Sequence, residues 1–485
     1  MNTILWFRRD LRVEDNPALA AAAAGGTPVL PLYIVEPGLW ASPDRAARQW
    51  RFLAESLEGL RADLAGLGAP LLVRTGNAVA VLETLRAAHG VTRLISNADI
   101  GTQWTATRDQ CVDDWARAQG ILWLDLPRPG ITRGLNHRKG WSAGRDRAMR
   151  GPLATPPKAL PTHGLDPGAI PDAADLRLPF DPCPGRQKGG RGQGLALCQG
   201  LPGADAVGRS GGASRLSPHL SFGTLSAREV GHALADRRQE ADASKRALQG
   251  VSSRLALRDH VTQLLASAPE IETRCLHPAY ETLRPRQPDA ARLEAWQKGE
   301  TGLPIVDACM RALIHTGWIS FPMRALLISV AGFHLRLDWQ VTGQHLARLM
   351  TDYDPGIHWP QVQMQSGVTG LTAARICNPV RQGLDLDPEG RFLRHWLPEL
   401  RPVPDACLHA PWTWDGAGRF LGRVYPAPVV DPIRAARSAR QRIWAVRDMP
   451  GYREMQDMLL SQHATPGAGR MRQARPTPRQ LSLPI

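Results

Sequence analysis

The stretch GASRLSPHLSFGTLSARE, from Gly212 to Glu229, sets four small hydroxyl residues (Ser214, Ser217, Ser221 and Ser226) around Arg215, just ahead of an amphipathic segment. Short hydroxyls, one cation and unpaired backbone N–H groups are what a diphosphate needs. The same serines also suit plain helix caps. The stretch marks a change of fold class: alternating strand and helix patterns lie well before it, and a continuous helical pattern follows it.

Upstream, apolar runs at Thr3–Phe7, Pro28–Val35, Pro70–Arg74, Arg93–Ser96 and Ile121–Leu126 are separated by helix-period stretches. One of these is clean, with Trp50, Leu53, Leu57, Leu60, Leu64 and Leu67 recurring at steps of three and four. Such alternation predicts a Rossmann-like, doubly wound parallel sheet over residues 1–126. No Gly-x-Gly-x-x-Gly follows the first strand, so a dinucleotide need not sit in this half. Residues 127–212 are dense in Pro and Gly, as in PLATPPKALPTHG and GRQKGGRGQG. They read as an inter-domain linker with partial disorder, its basic run Arg186–Arg191 solvated.

Downstream, residues 213–445 read as an all-α domain. RLALRDH carries Arg254, Arg258 and Asp259, with the two arginines four apart on one helix face. AWQKGETGLPIVDACMRALIHTGW runs from Ala295 to Trp318. FPMRALL carries Arg324, and LDWQVTGQHLARLMTDYDPGIHWPQVQMQSG holds Trp339, Asp352, Asp354 and His358. RICNPVRQGLDLDPEGRFLRHWLPEL closes the set. Residues 446–485 form a C-terminal extension whose Pro- and Arg-rich end is expected to be disordered.

At 485 residues the chain exceeds one hydrophobic core, so two large domains are expected. Its net charge of +14 points to a polyanionic partner, nucleic acid first. Seven scattered cysteines without Cys-x-x-Cys argue against a disulfide framework and a zinc ribbon, and their spacing gives an iron–sulfur cluster little support. A reducing cytoplasm fits, with no signal peptide and no membrane span.

Taken together these segments resemble the FAD-binding domain of the photolyase/cryptochrome family, and ILWFRRDLRVEDNPALAAA at the front resembles that family's antenna domain. The resemblance covers residues 3 to about 445. It implies an α/β antenna domain, a helical domain holding FAD, and light-driven electron transfer or light sensing. It also implies that Ser214, Leu216 and Ser217, with Arg215 among them, hold the flavin diphosphate. Arg258 faces the flavin, Arg324 and Asp352 pair beside its ring, and Asp354 is the second acid of that loop. The threonine that often opens the diphosphate segment is Ala213 here.

Other positions depart from dimer photolyases. The Trp that would stack a thymine dimer is replaced by Val362 or Met364. A lesion-contacting Glu becomes Arg254, a nearby Trp becomes Leu257, and the Asn facing flavin N5 falls near His358 or Gly356. The tryptophan relay keeps its middle member, Trp339. Its surface member falls at Arg286 and its proximal member at Pro360 or Val362, beside Trp359. Trp359, Trp339, Trp318 and Trp296 are candidates for a different chain of hops, or for core packing.

Three functions follow. The first is a deoxyribodipyrimidine photo-lyase-type enzyme, with Trp339 and Trp359 in electron transfer and His358 in proton transfer alongside His334. Arg254, Arg286, Met364 and Arg381 are then its DNA-contacting residues. The second is a cryptochrome-like photoreceptor. The third is a flavoprotein or nucleic-acid-binding scaffold without light chemistry. A second antenna chromophore is compatible with the first domain, its identity open. The expected state is a monomer.

Overall fold

This computed structural model describes residues 2–161, 163–201, 214–240 and 244–464. Five parallel strands, β1 (Asn2–Phe7), β2 (Val29–Val35), β3 (Leu72–Thr75), β4 (Val91–Asn97) and β5 (Leu122–Leu126), form one sheet in the order β3-β2-β1-β4-β5. Each lies within two residues of its expected limits. β2 is buried along its whole length, as a sheet covered on both faces requires. Its residues alternate between two cores. Val29, Tyr33 and Val35 join Leu5 and Phe7 on one face. Leu30, Leu32 and Ile34 join Ile4 and Trp6 on the other. The helix Ala47–Gly66 covers the first face with Trp50, Leu53, Leu57, Leu60 and Leu64.

The connection after residue 127 differs from its expected loose state where it is described. It forms helices at Trp141–Arg150 and Arg191–Gln199. Its basic run is tied down rather than solvated: Arg186 donates to Glu55 at 3.0 Å, and Arg191 to Glu229 at 2.6 Å. Arg48, from the helix Ala47–Gly66, pairs with Asp181 of the connection. It also donates to the carbonyls of Leu313, Ile314 and Leu349 at 3.3, 3.2 and 2.8 Å. Those carbonyls lie in the last turns of the helices Pro304–Thr316 and Trp339–Leu349, where a cation is favoured.

The second half is helical, as its periodicity predicts. Its core gathers Trp296, Val306, Cys309, Met310, Phe333, Leu346 and Trp359. The helix Pro304–Thr316 starts with Pro at its first position and is buried along most of its length. From its first turn, Asp307 reaches back to accept from Thr301 N, Gly302 N and Tyr425 Oη at 2.8, 3.0 and 2.5 Å. The chain stays ordered past residue 445, in the helix Tyr452–His463, whose Tyr452 hydroxyl lies 2.9 Å from that of Tyr280. Residues 465–485, expected to be disordered, and residues 202–213 lie outside the described residues.

Candidate functional site

Two carboxylates, one residue apart, organise the centre of the helical half. Asp352 takes a two-point contact from Arg324, at 3.1 and 2.7 Å, while Arg324 Nε donates to the Ile319 carbonyl at 2.9 Å. A planar fork on a carboxylate fixes both position and charge. Asp354 caps the helix Pro355–Ser366 by accepting from Gly356 N at 3.0 Å. The same oxygen accepts from Arg9 at 3.2 Å, and the other oxygen accepts from Arg258 at 3.0 Å. Burial pushes the Asp354 carboxyl upward, but Arg9 and Arg258 together outweigh it and hold it below the usual carboxylate range. Burial also brings the Arg258 guanidinium down to about 10. Its Nε is buried without a hydrogen-bond partner among the described residues.

The hydroxyl-rich stretch reaches this pair through Trp318. Trp318 Nε1 donates to Ser217 Oγ at 2.9 Å. The Arg215 guanidinium lies 5.0 Å over the Trp318 ring and that of Arg324 lies 5.9 Å from it. Arg215 has a left-handed backbone, φ 51°, which is uncommon for a residue with a side chain. Gln187 holds it there, donating to the Arg215 carbonyl at 3.0 Å and accepting from Arg215 Nε at 3.2 Å. Ser221 Oγ donates to the Asp352 carbonyl at 2.9 Å. Leu216 is buried, and Ser214 is half-buried. Ser226 is a plain cap: it forms a capping box with Glu229 and also donates to Asp15.

The structure therefore brings Arg215, Ser217, Arg324 and Asp352 into one contact network and Arg258 and Asp354 into a second, the two meeting along the backbone at Leu220–Ser221 and Asp352–Asp354. Sequence reasoning missed Arg9 and Gln187. Arg9 stands at the carboxyl end of β1, where strand order reverses between β1 and β4, so the switch-point rule would have found it. Gln187 sat in a stretch read as solvated linker. Tyr353, between the two acids, was also overlooked.

The remaining candidates are placed as follows. Trp339 and Trp359 are buried and meet edge to face, centroids 6.1 Å apart. Trp318 packs with the Ser217 segment and Trp296 beside His345. His358 is buried against Tyr353 and Trp359, with Nε2 2.8 Å from the Gly343 carbonyl. Burial holds it near 4, and does the same to His334, so both are neutral at pH 7. Arg254, Arg286 and Arg381 are exposed, with Arg286 3.6 Å from Glu281, and Met364 is half-buried. Among the described residues no group of three or more His, Cys, Asp or Glu could hold a metal, and the seven cysteines are free.

The donor set suits a ligand with an anionic waist and a polar ring. Arg215 and the hydroxyls offer cation and O–H. Asp352, held by the Arg324 fork, can accept from a ring N–H, and Arg258 has a donor to spare.

Residues 3–127 match the DNA photolyase family model, and residues 251–445 match the FAD binding domain of DNA photolyase. The chain is 32% identical over 467 residues to a deoxyribodipyrimidine photo-lyase of Streptomyces griseus, covering 90% of this chain and 98% of that one. It is 29% identical over 492 residues to a cryptochrome DASH of Gloeobacter violaceus, covering 89% and 94%. The crystal structure of an archaeal photolyase from Sulfolobus tokodaii, which holds two FAD molecules, superposes with a TM-score of 0.77 at 26% identity, over 92% of this chain and 100% of that one. A parallel sheet followed by a helical domain with this FAD-binding signature places the chain in the DNA photolyase and cryptochrome family.

Proposed function

We propose that the chain is a light-dependent DNA-repair enzyme acting on pyrimidine photoproducts. The observation that carries this reading is the pairing of Arg324 with Asp352 and of Arg9 and Arg258 with Asp354, on either side of Tyr353, with the Arg215–Trp318–Ser217 link, in a chain of net charge +14. Reduced FAD, when bound, supplies an electron to the lesion on absorbing blue light. In this reading Ser214, Arg215, Leu216 and Ser217 hold the diphosphate. Asp352 accepts a ring N–H and Arg324 fixes that carboxylate in place. Asp354 and Arg258 close the pocket toward the sheet. His358, neutral and fixed on Gly343, keeps water from the ring side. Trp339 and Trp359 carry electrons. The exposed Arg254, Arg286 and Arg381 take phosphates, and Met364 takes an apolar edge of the flipped base. The protein works as a cytoplasmic monomer, and the α/β domain takes a second chromophore of unassigned chemistry.

Loss of photoproducts from ultraviolet-treated duplex under blue light with the reduced protein tests this. Repair in light and none in darkness is expected, and the absence of both would leave the photoreceptor reading. That second reading draws on one feature. Leu257, aliphatic and 38% exposed, stands on the same helix face as Arg254, so this position offers no ring to stack a dimer. Base–aromatic stacking is worth about 1–3 kcal/mol per base. Preference for treated over untreated duplex is accordingly expected to be modest, and binding to fall steeply with salt as phosphates release counterions. A thousandfold preference in a titration at fixed salt would break that expectation.

A further inference from the structure

The tryptophan pair of the helical domain is joined to the α/β domain by a hydrogen-bonded chain. Trp359 Nε1 donates to Tyr353 Oη at 3.1 Å, and Tyr353 Oη donates in turn to Asp44 Oδ2, ahead of the helix Ala47–Gly66. All three side chains are buried: Trp359 is 3% exposed, Tyr353 2% and Asp44 5%. The charged groups facing the phenol are Asp44, Arg45 and, further off, Glu272. Arg45 lies 5.1 Å over the Tyr353 ring and 3.8 Å from the other oxygen of Asp44. His358 packs edge-on at 5.2 Å. No other acceptor among the described residues hydrogen-bonds the phenol.

We propose that Tyr353, with Asp44 as its proton acceptor, is a redox-active tyrosine that refills Trp359 after Trp359 has lost an electron. The inference rests on flavin binding in the helical domain and not on whether the chain repairs DNA. Trp359 gives one electron to the light-excited oxidised flavin. Tyr353 then gives one electron to Trp359, and its phenolic proton moves along the existing hydrogen bond to Asp44. The products are neutral Trp359, a neutral Tyr353 radical and protonated Asp44, so charge and atoms balance. The cation of Arg45 over the ring disfavours a charged phenol radical, which makes loss of the proton part of the step. Trp339, 6.1 Å from Trp359, shares the vacancy on the other side. The family resemblance puts the relay's outer position at Arg286, exposed beside Glu281, and a guanidinium does not give up an electron. The inward branch through Tyr353 supplies the sink that the outward branch lacks.

Illuminated flavin-loaded protein, frozen and examined by electron paramagnetic resonance, is expected to show a tyrosyl radical that narrows when tyrosine is ring-deuterated. Tyr353→Phe should abolish it. Asp44→Asn, which keeps the phenol but not its proton acceptor, should abolish or delay it while the tryptophan radical lives longer. A tyrosyl signal unchanged in Tyr353→Phe overturns the proposal, as does a parent protein that yields tryptophan radical alone. A second measurement needs no flavin. Azide radicals made by pulse radiolysis oxidise tryptophan in the full chain, and transfer onward to a tyrosyl radical that Tyr353→Phe removes supports the relay even in protein that binds no flavin. Tryptophan radical that decays without forming tyrosyl radical there overturns it.

Discussion

The α/β region and the helical region bury their polar side chains in opposite ways. At the carboxyl ends of the strands, Arg8 lies between Asp109 and Asp125, and Arg108 between Glu36 and Asp109. These buried charges meet one another, while Asp10 beside them accepts from Asn97 and the Arg8 backbone N–H. The helical region instead buries neutral histidines: burial holds His219, His334 and His358 near 4. The α/β region, residues 2–126, contains one histidine, His89. The two schemes meet at Asp354, which takes Arg258 from its own domain and Arg9 from the sheet. Paired charges thus fix geometry where the two regions join.

The join is where a single change should cost most. Asp354→Ala takes from Arg258 its only ion-pair partner among the described residues, leaving it the Leu220 carbonyl, takes one of two from Arg9, which keeps Asp99, and removes a helix cap, so a loss of about 3–5 kcal/mol is expected in urea unfolding. A loss confined to the cap, about 1 kcal/mol, would show that Arg9 and Arg258 find other acceptors. Asp352→Ala should be milder for the fold, on the order of 1–3 kcal/mol, because Arg324 is one-fifth exposed. It should nonetheless cost the bound flavin, read from visible absorbance after reconstitution. A yellow Asp352→Ala protein would move the ring contact elsewhere.

Acid should separate the regions next. A histidine whose folded value lies near 4, against about 6.5 unfolded, contributes stability that is present above 6.5 and lost as pH falls toward 4. Each such group can tilt stability by at most about 1.4 kcal/mol per pH unit in that window. Urea midpoints followed by flavin release should therefore drop between pH 6.5 and 4, before carboxylate protonation disturbs the sheet. A flat response over that window would mean that these histidines take up protons in the folded chain as readily as in the unfolded one. The smallest effect is expected from Trp339→Phe, which should slow photoreduction and leave flavin content unchanged. Equal photoreduction rates would assign the flow to Trp359 and Tyr353 alone.

The sheet was legible because strand and helix periods are local properties, and β1 to β5 follow them closely. The acid loop and its arginines were legible through the family's motifs. What escaped was set by contacts distant in sequence. Gly189 and Gly194 read as linker glycines, yet a Cβ at Gly189 would lie 2.1 Å from the Phe52 carbonyl, and one at Gly194 3.0 Å from the His219 ring. Their glycine content records close approach rather than looseness. Arg9, Gln187 and Tyr353 act on residues 345, 28 and 309 positions away, Asp354, Arg215 and Asp44 respectively. No window of sequence contains both partners.

Arg48 carries a consequence for how the chain is made. Its acceptor at Leu349 is 301 residues further along, and that at Leu313 is 265. At about 5–20 residues per second on the ribosome, the gap before Leu349 emerges is roughly 15–60 s. Asp181, only 133 residues away, arrives well before either and serves as the interim counter-ion. The nascent α/β half therefore spends much of its synthesis with a cation waiting for helices not yet translated, and a ribosome that stalls between residues 181 and 313 would hold it in that half-satisfied state, a natural client for a chaperone.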